Sequence, residues 1–215
     1  MNKEFEGKRT LVCGGTDGIG KAIALLMAER GAEIIIMARN QKKLKNVCDE
    51  LSTSSGQTHT AICADFNDMV ALKKSLSDQL KGPIHILINN SGGPHGGELI
   101  NAKEEEFHIA FERLLIANQV VTQAIVPMMK EHGYGRIINI ISTSVNQVIP
   151  GLGVSNTIRG AVAQWAKTLA LELGGYGITV NNILPGYTAT RRLKELSEGK
   201  AIERGVTSEE IDRKS

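Results

Sequence analysis

The chain is short of cysteine and proline, carries no surplus of either charge and has no long apolar run, and each shortage closes off a class of protein. Cys13, Cys48 and Cys63 are odd in number and form no CxxC pair, so neither a disulfide framework nor a cysteine nucleophile is expected. They fit reduced, mostly buried thiols in a cytoplasmic protein. His59, His85, His95, His108 and His132 show no HxxxH or mixed Cys/His spacing, and no metal is expected. Lysine and arginine number 25 against 23 acids, and the signs are interleaved, as in Lys42-Lys43 near Asp49-Glu50. A nucleic-acid binder would gather its positive charge on one face; a solvated surface is the better reading, and no nucleic-acid partner is expected. No apolar run approaches the roughly eighteen residues of a membrane span, and Met1 to Glu6 lack the layout of a signal peptide. No membrane association is expected.

What remains is ordinary globular material. The 215 residues are 41% apolar, enough for one domain over 1–215 with a sizeable core. Glycine and proline follow no triplet period, which excludes a fibre. Short β-rich runs at 9–13, 33–38, 58–64, 84–89, 136–141 and 178–184 alternate with segments of helical period at 19–30, 41–51, 68–80, 104–132 and about 155–173. In the long helix, Phe107, Phe111, Leu114, Leu115, Val121, Ile125 and Met128 trace a stripe read as a face on the sheet. Strand and helix in alternation predict an α/β fold, a doubly wound parallel sheet with helices on both faces. The Ile and Val runs fit strands buried on both sides. No strand is read after 184, so either the fold is short of its last strand or the C-terminus is missing. From Arg191 to Ser215 the chain is charged and helix-prone, with Thr207 and Glu210 spaced as a capping box; it reads as a mobile flap or two surface helices, the flap region being 187–215.

After the first strand comes Cys13-Gly14-Gly15-Thr16-Asp17-Gly18-Ile19-Gly20, and then a helix. Glycines there let the backbone approach a pyrophosphate, whose charge meets the free N–H groups and positive end of the helix. A plain tight turn needs one or two glycines, and this one has four. Gly15 and Gly20-Lys21 also have triphosphate-loop spacing, but Ala22 stands where Mg²⁺ needs a hydroxyl, which sets an NTPase aside. At the end of the second strand an acid would hold the ribose of NAD, whereas Arg39 suits a 2′-phosphate. NADP(H) is therefore favoured over NAD(H), with Asp17 a negative charge that works against a phosphate.

These residues, with Asn89-Asn90-Ser91-Gly92, Ser142 and Pro185-Gly186-Tyr187-Thr188-Ala189-Thr190, resemble the short-chain dehydrogenase/reductase family over nearly the whole chain. The resemblance is nearest to the 3-oxoacyl-acyl-carrier-protein reductase-like branch. It implies a Rossmann-type fold with strand order 3-2-1-4-5-6-7, a nicotinamide cofactor, a small carbonyl or alcohol substrate and a homodimer or homotetramer. Carried over by motif, Gly14, Thr16, Asp17, Gly18, Ile19 and Gly20 form the pyrophosphate turn, and Asp65 and Phe66 the adenine contact. Asn90, Ser91 and Gly92 line the nicotinamide ribose, while Pro185, Gly186, Thr188 and Thr190 hold the carboxamide and phosphates. Asp65 could instead cap a helix, and Pro185-Gly186 could be a turn.

The catalytic motif departs from the family. A Ser is followed there by a Tyr thirteen residues on and a Lys four further; counted from Ser142, those places hold Ser155 and Arg159. The family's Asn in the long helix falls at Leu114, with Asn118 one turn on. A carbonyl gaining hydride builds negative charge on oxygen and needs a proton. A phenol beside an ammonium can supply it near neutral pH. Serine is a poor proton source, and arginine does not give up its proton. Ser142, Ser155 and Arg159 are the expected catalytic set, with Tyr187 and His95 as substitute acids. Two readings stay open: an NADP(H)-dependent oxidoreductase with altered proton delivery, or a cofactor-binding protein without turnover.

Overall fold

Six apolar runs become six parallel strands in the computed structural model, which describes residues 3–191 with Leu193, Lys194, Ser197, Glu198 and Ala201. They are β1 (Arg9–Cys13), β2 (Glu33–Ala38), β3 (Thr60–Cys63), β4 (Ile86–Asn89), β5 (Gly135–Ile140) and β6 (Ile178–Ile183). The sheet order is β3-β2-β1-β4-β5-β6, every pairing parallel. This is the doubly wound, Rossmann-type arrangement that the strand–helix alternation predicts, and no strand follows β6 among the described residues. Ile34, Ile35 and Ile36 are each at most 1% exposed, which requires cover on both faces because successive side chains point oppositely. The helices supply it: α1 (Gly18–Glu29) and α2 (Gln41–Glu50) on one face, α3 (Met69–Gln79), α5 (Ala117–Glu131) and α6 (Gly153–Leu173) on the other. Truncating one of these isoleucines to alanine costs about 2–5 kcal/mol.

Short polar side chains set the helix starts. The Asp17 carboxylate accepts from Gly18 N–H, Asn40 Oδ1 from Lys43 N–H and Asp68 Oδ1 from Ala71 N–H, all at 2.9 Å. Each satisfies an amide that the first helical turn leaves without an intrahelical partner. Asp68, not Asp65, therefore caps α3. Asp65 Oδ1 instead accepts from Asn67 N–H at 3.0 Å and Asn67 Nδ2 at 2.8 Å, closing a local turn.

The long helix expected over 104–132 is not uniform. It runs as α4 (Glu104–Phe111), a π-helical turn at Glu112–Ile116, and α5. Its buried face is carried by Ala110, Leu114, Ala117, Val121, Ile125 and Met129, while Phe111 is 40% exposed. Leu114, Val121 and Ile125 of the expected stripe lie on this face, Phe107, Leu115 and Met128 pack at its edge, and Phe111 falls outside it. Alanine at the point of closest approach lets the backbone near its neighbours, and a pattern weighted by bulk passes over it. By length and composition, Glu104–Glu131 would pass for a membrane span of 28 residues, but this apolar face packs into the cores of the fold. Thr207, Glu210 and most of the expected flap 187–215 lie outside the described residues.

Candidate active site

In a doubly wound sheet the ligand crevice opens at the carboxyl ends of the strands where the order reverses, here between β1 and β4. The glycine turn follows β1 directly. Gly14 has φ +60°, and a Cβ there would lie 2.7 Å from both Asn90 Nδ2 and Asn90 O. A Cβ on Gly20 would overlap the Gly14 carbonyl oxygen and stand 2.6 Å from Asn90 Nδ2. The Asn90 amide donates to Cys13 O and Gly14 O, each at 3.3 Å, so β4 grips the turn that β1 begins. Close approach, beyond the turn itself, is what demands glycine at these two positions.

Above this turn is a cavity of about 450 Å³. Of the residues singled out in the sequence, Gly14, Thr16, Asp17, Arg39, Asp65, Phe66, Ser91 and Gly92 line it. Gly18 and Thr190, neighbours in sequence of the lining residues Asp17 and Arg191, meet each other, a Cβ on Gly18 lying 3.3 Å from Thr190 Cγ2. Ile19 packs into the core beneath α1. Pro185 O accepts from Thr143 N–H at 3.1 Å, beside Ser142, and Thr188 Oγ1 donates to Gly186 O at 3.4 Å. Asn40, Lys43, Asn67, Arg113 and Arg191 line the cavity as well, and sequence reasoning missed them. The signal for Lys43 was its place in the first turn of α2, just past Arg39; Arg113 and Arg191 carried none.

The residues present fit a dinucleotide. Gly14 and Gly92 bring bare backbone to the cavity wall, and four cations, Arg39, Lys43, Arg113 and Arg191, line it with two carboxylates, Asp17 and Asp65. The Arg191 guanidinium, 2.8 Å from Asp17, is the main reason the Asp17 carboxyl is held below its usual range. Glu33 is at the far end of β2, paired with Arg9 at 2.6 Å. Cys13 is buried beneath the turn, and burial pushes its thiol up to about 12, so it stays protonated and unreactive at neutral pH. A second cavity, about 360 Å³ between α3 and α5, has an apolar lining broken by Lys73 and Ser77, and it does not share the strand ends.

Three amides tie the strands under the crevice. Asn89 Nδ2 donates to Asn139 Oδ1 at 2.9 Å, and Asn139 Nδ2 to Asn182 Oδ1 at 3.0 Å. The registers of β4, β5 and β6 put these three residues side by side. Just beyond β5, Ser142 Oγ accepts from Ser144 N–H at 3.1 Å. Ser155 and Arg159 come from α6, one turn apart on one face. Arg159 Nε donates to Ser155 Oγ at 3.3 Å, and Nη1 to Ile140 O at 3.2 Å and Ile141 O at 3.0 Å. The guanidinium is thus fastened to the end of β5, immediately before Ser142. Leu114, 4% exposed, packs from the π turn into a cluster with Ile141, Val154 and Ile158, so the surroundings of both serines are apolar on that side. His95 and Tyr187 are exposed, Tyr187 at 58%.

The family model described as short chain dehydrogenase matches residues 8–201. The 3-oxoacyl-[acyl-carrier-protein] reductase FabG of Vibrio cholerae is 32% identical over 194 residues, 90% of this chain and 79% of that protein. Dehydrogenase/reductase SDR family member 4 of Oryctolagus cuniculus is 32% identical over 205 residues, 93% of this chain and 77% of that protein. Among solved structures, L-sorbose reductase from Gluconobacter frateurii, complexed with NADPH and L-sorbose, superposes with a TM-score of 0.88 at 26% identity, covering 98% of this chain and 81% of that one. The 3-ketoacyl-(acyl-carrier-protein) reductase from Brucella melitensis, complexed with NADH, gives 0.81 at 26% identity, over 90% and 83%.

Proposed function

Because the chain belongs to the short-chain dehydrogenase family, a family of NAD(P)-dependent oxidoreductases, we propose that it uses NADP(H) in preference to NAD(H) to reduce a carbonyl or oxidise a secondary alcohol. The observation that supports this reading is the cavity over the glycine turn, with Arg39, at the end of β2, in its lining; a cation there suits a 2′-phosphate. The complexes of similar proteins include both NADPH and NADH, so the preference rests on Arg39. A 3-oxoacyl thioester-like substrate is supported by the similarity to 3-oxoacyl reductases. A homodimer or homotetramer, a cytoplasmic location and one domain over 1–215 with 187–215 as substrate flap belong to the same proposal.

The cofactor supplies hydride when bound, and the chain supplies placement and charge. Gly14 to Gly20 and Arg39 hold the phosphates, Asp65 and Phe66 border the adenine, and Asn90, Ser91 and Gly92 border the nicotinamide ribose. Ser142 and Ser155 each accept one N–H, which leaves their own O–H groups to donate to a substrate oxygen. The guanidinium of Arg159 beside Ser155 favours negative charge on that oxygen. Neither serine is acidic enough to give up its proton, so the proton comes through water. The test is a panel of ketones and acyl thioesters followed by NADPH absorbance; silence across the panel, with cofactor bound, sinks the reading.

A second reading, binding without turnover, is favoured by one observation: Arg159 is fastened to backbone carbonyls, and Leu114 makes the facing wall apolar. The Ser155→Tyr, Arg159→Lys double variant separates the two. Reductase activity appearing where there was none marks a binder; loss of an existing activity marks a native mechanism of its own.

A further inference from the structure

Asp17 is a carboxylate at the place where a diphosphate should lie, and its partners are those a phosphate would take. Its Oδ1 accepts from Gly18 N–H at 2.9 Å, the first amide of α1. Its Oδ2 takes Arg191 Nε at 2.8 Å and has Lys43 Nζ at 3.9 Å. A helix-terminal amide, a guanidinium and an ammonium are the usual donors to a phosphate. Arg191 comes from the segment after Pro185, and its neighbour Thr190 leans on Gly18. Both partners of the Asp17–Arg191 pair are far from buried, at 45% and 63%, and pairs so exposed to water are weak.

We propose that Asp17 holds the place of a cofactor phosphate: when the dinucleotide binds, Arg191 and Lys43 pass from the carboxylate to the phosphate. Arg191 is then a cofactor ligand delivered by the segment that follows Pro185, which already lies against the turn through Thr190 and Gly18. A half-exposed ion pair gives way to a charge-assisted bond with a more highly charged anion, so the exchange runs downhill. The inference rests on the nicotinamide dinucleotide reading above.

The experiment is calorimetric titration of NADPH and NADH into the wild type, Asp17→Asn, Arg191→Gln and the double variant. Asparagine caps a helix as aspartate does, so Asp17→Asn keeps the bond to Gly18; Asp17→Ser, also a capping residue, replaces it if the first variant does not fold. Removing the carboxylate is expected to tighten binding about threefold to tenfold, and Arg191→Gln in the Asp17→Asn background to weaken it by a similar factor. That background decides the matter, because there Arg191 has no carboxylate at position 17 left to neutralise. An unchanged dissociation constant on replacing Arg191 there would make Arg191 a counter-ion only and overturn the proposal. If the wild type binds neither dinucleotide, the underlying reading fails first; if it binds and the variants match it, the exchange alone is wrong.

Discussion

Replacing Arg159 by alanine should weaken the fold itself, whatever it does to activity. The guanidinium makes charge-assisted bonds to Ile140 O, Ile141 O and Ser155 Oγ at 3.2, 3.0 and 3.3 Å, joining α6 to the carboxyl end of β5. Hydrogen bonds from a charged group contribute about 1.5–3 kcal/mol each when measured singly, but three on one side chain do not add, so about 2–4 kcal/mol is expected in total. In urea, with a slope near 3 kcal/mol/M for a chain of this size, that is a midpoint shift of roughly 1 M at constant slope. Arg159→Lys cannot span both carbonyls and should lose about half as much, and Ser155→Ala, which removes one bond of the three, about 1 kcal/mol. The measurement is equilibrium urea unfolding followed by far-ultraviolet circular dichroism. A shift below about 0.2 M for Arg159→Ala would refute the reasoning, since the bonds to β5 would then contribute nothing.

Other perturbations read other parts of the account. Gly20→Ala forces a methyl group against Gly14 O and the Asn90 amide, and should abolish dinucleotide binding in a fluorescence titration while lowering the melting temperature; retained binding would contradict the close approach. Asn139→Ala removes the middle of the amide ladder and leaves a buried Asn89 donor without its acceptor, a loss of about 1–3 kcal/mol by urea unfolding. His85 accepts Arg9 N–H at Nδ1 at 3.0 Å, and burial first, then Lys8, His132 and Arg9, lower its pKa below the usual 6.5. The folded state therefore prefers the neutral ring: this part of the stability is complete above pH 6.5 and is lost as pH falls through the lowered folded value. His85→Asn, which keeps an acceptor, should flatten the acid side of the stability profile in that window; an unchanged profile would count against the assignment.

The fold was legible because burial writes itself into the sequence. Ile34, Ile35 and Ile36 in a short run between helical segments fit a strand covered on both faces, whereas the cap of α3 was not legible: Asp65 was the candidate and Asp68 holds the place. The π turn was not legible, because the buried positions Ala110, Leu114, Ala117 and Val121 keep three- and four-residue steps straight through it. The candidate site divides in the same way. The glycine turn and Arg39 could be named from their places at the strand ends, while Asp65, Ser142 and the altered pair Ser155 and Arg159 were named through the family resemblance. Lys43, Arg113 and Arg191 could not, since they meet only through the folding of distant segments. The partners of Arg159 are backbone carbonyls, which no side-chain pattern announces.

The most direct measurement is calorimetric titration of the purified, folded protein with NADPH and with NADH. The account predicts saturable heat, with NADPH the tighter ligand and its advantage reduced when Arg39 is replaced by alanine. No heat from either coenzyme at millimolar concentration would contradict the placement of a dinucleotide across the carboxyl ends of β1 and β4.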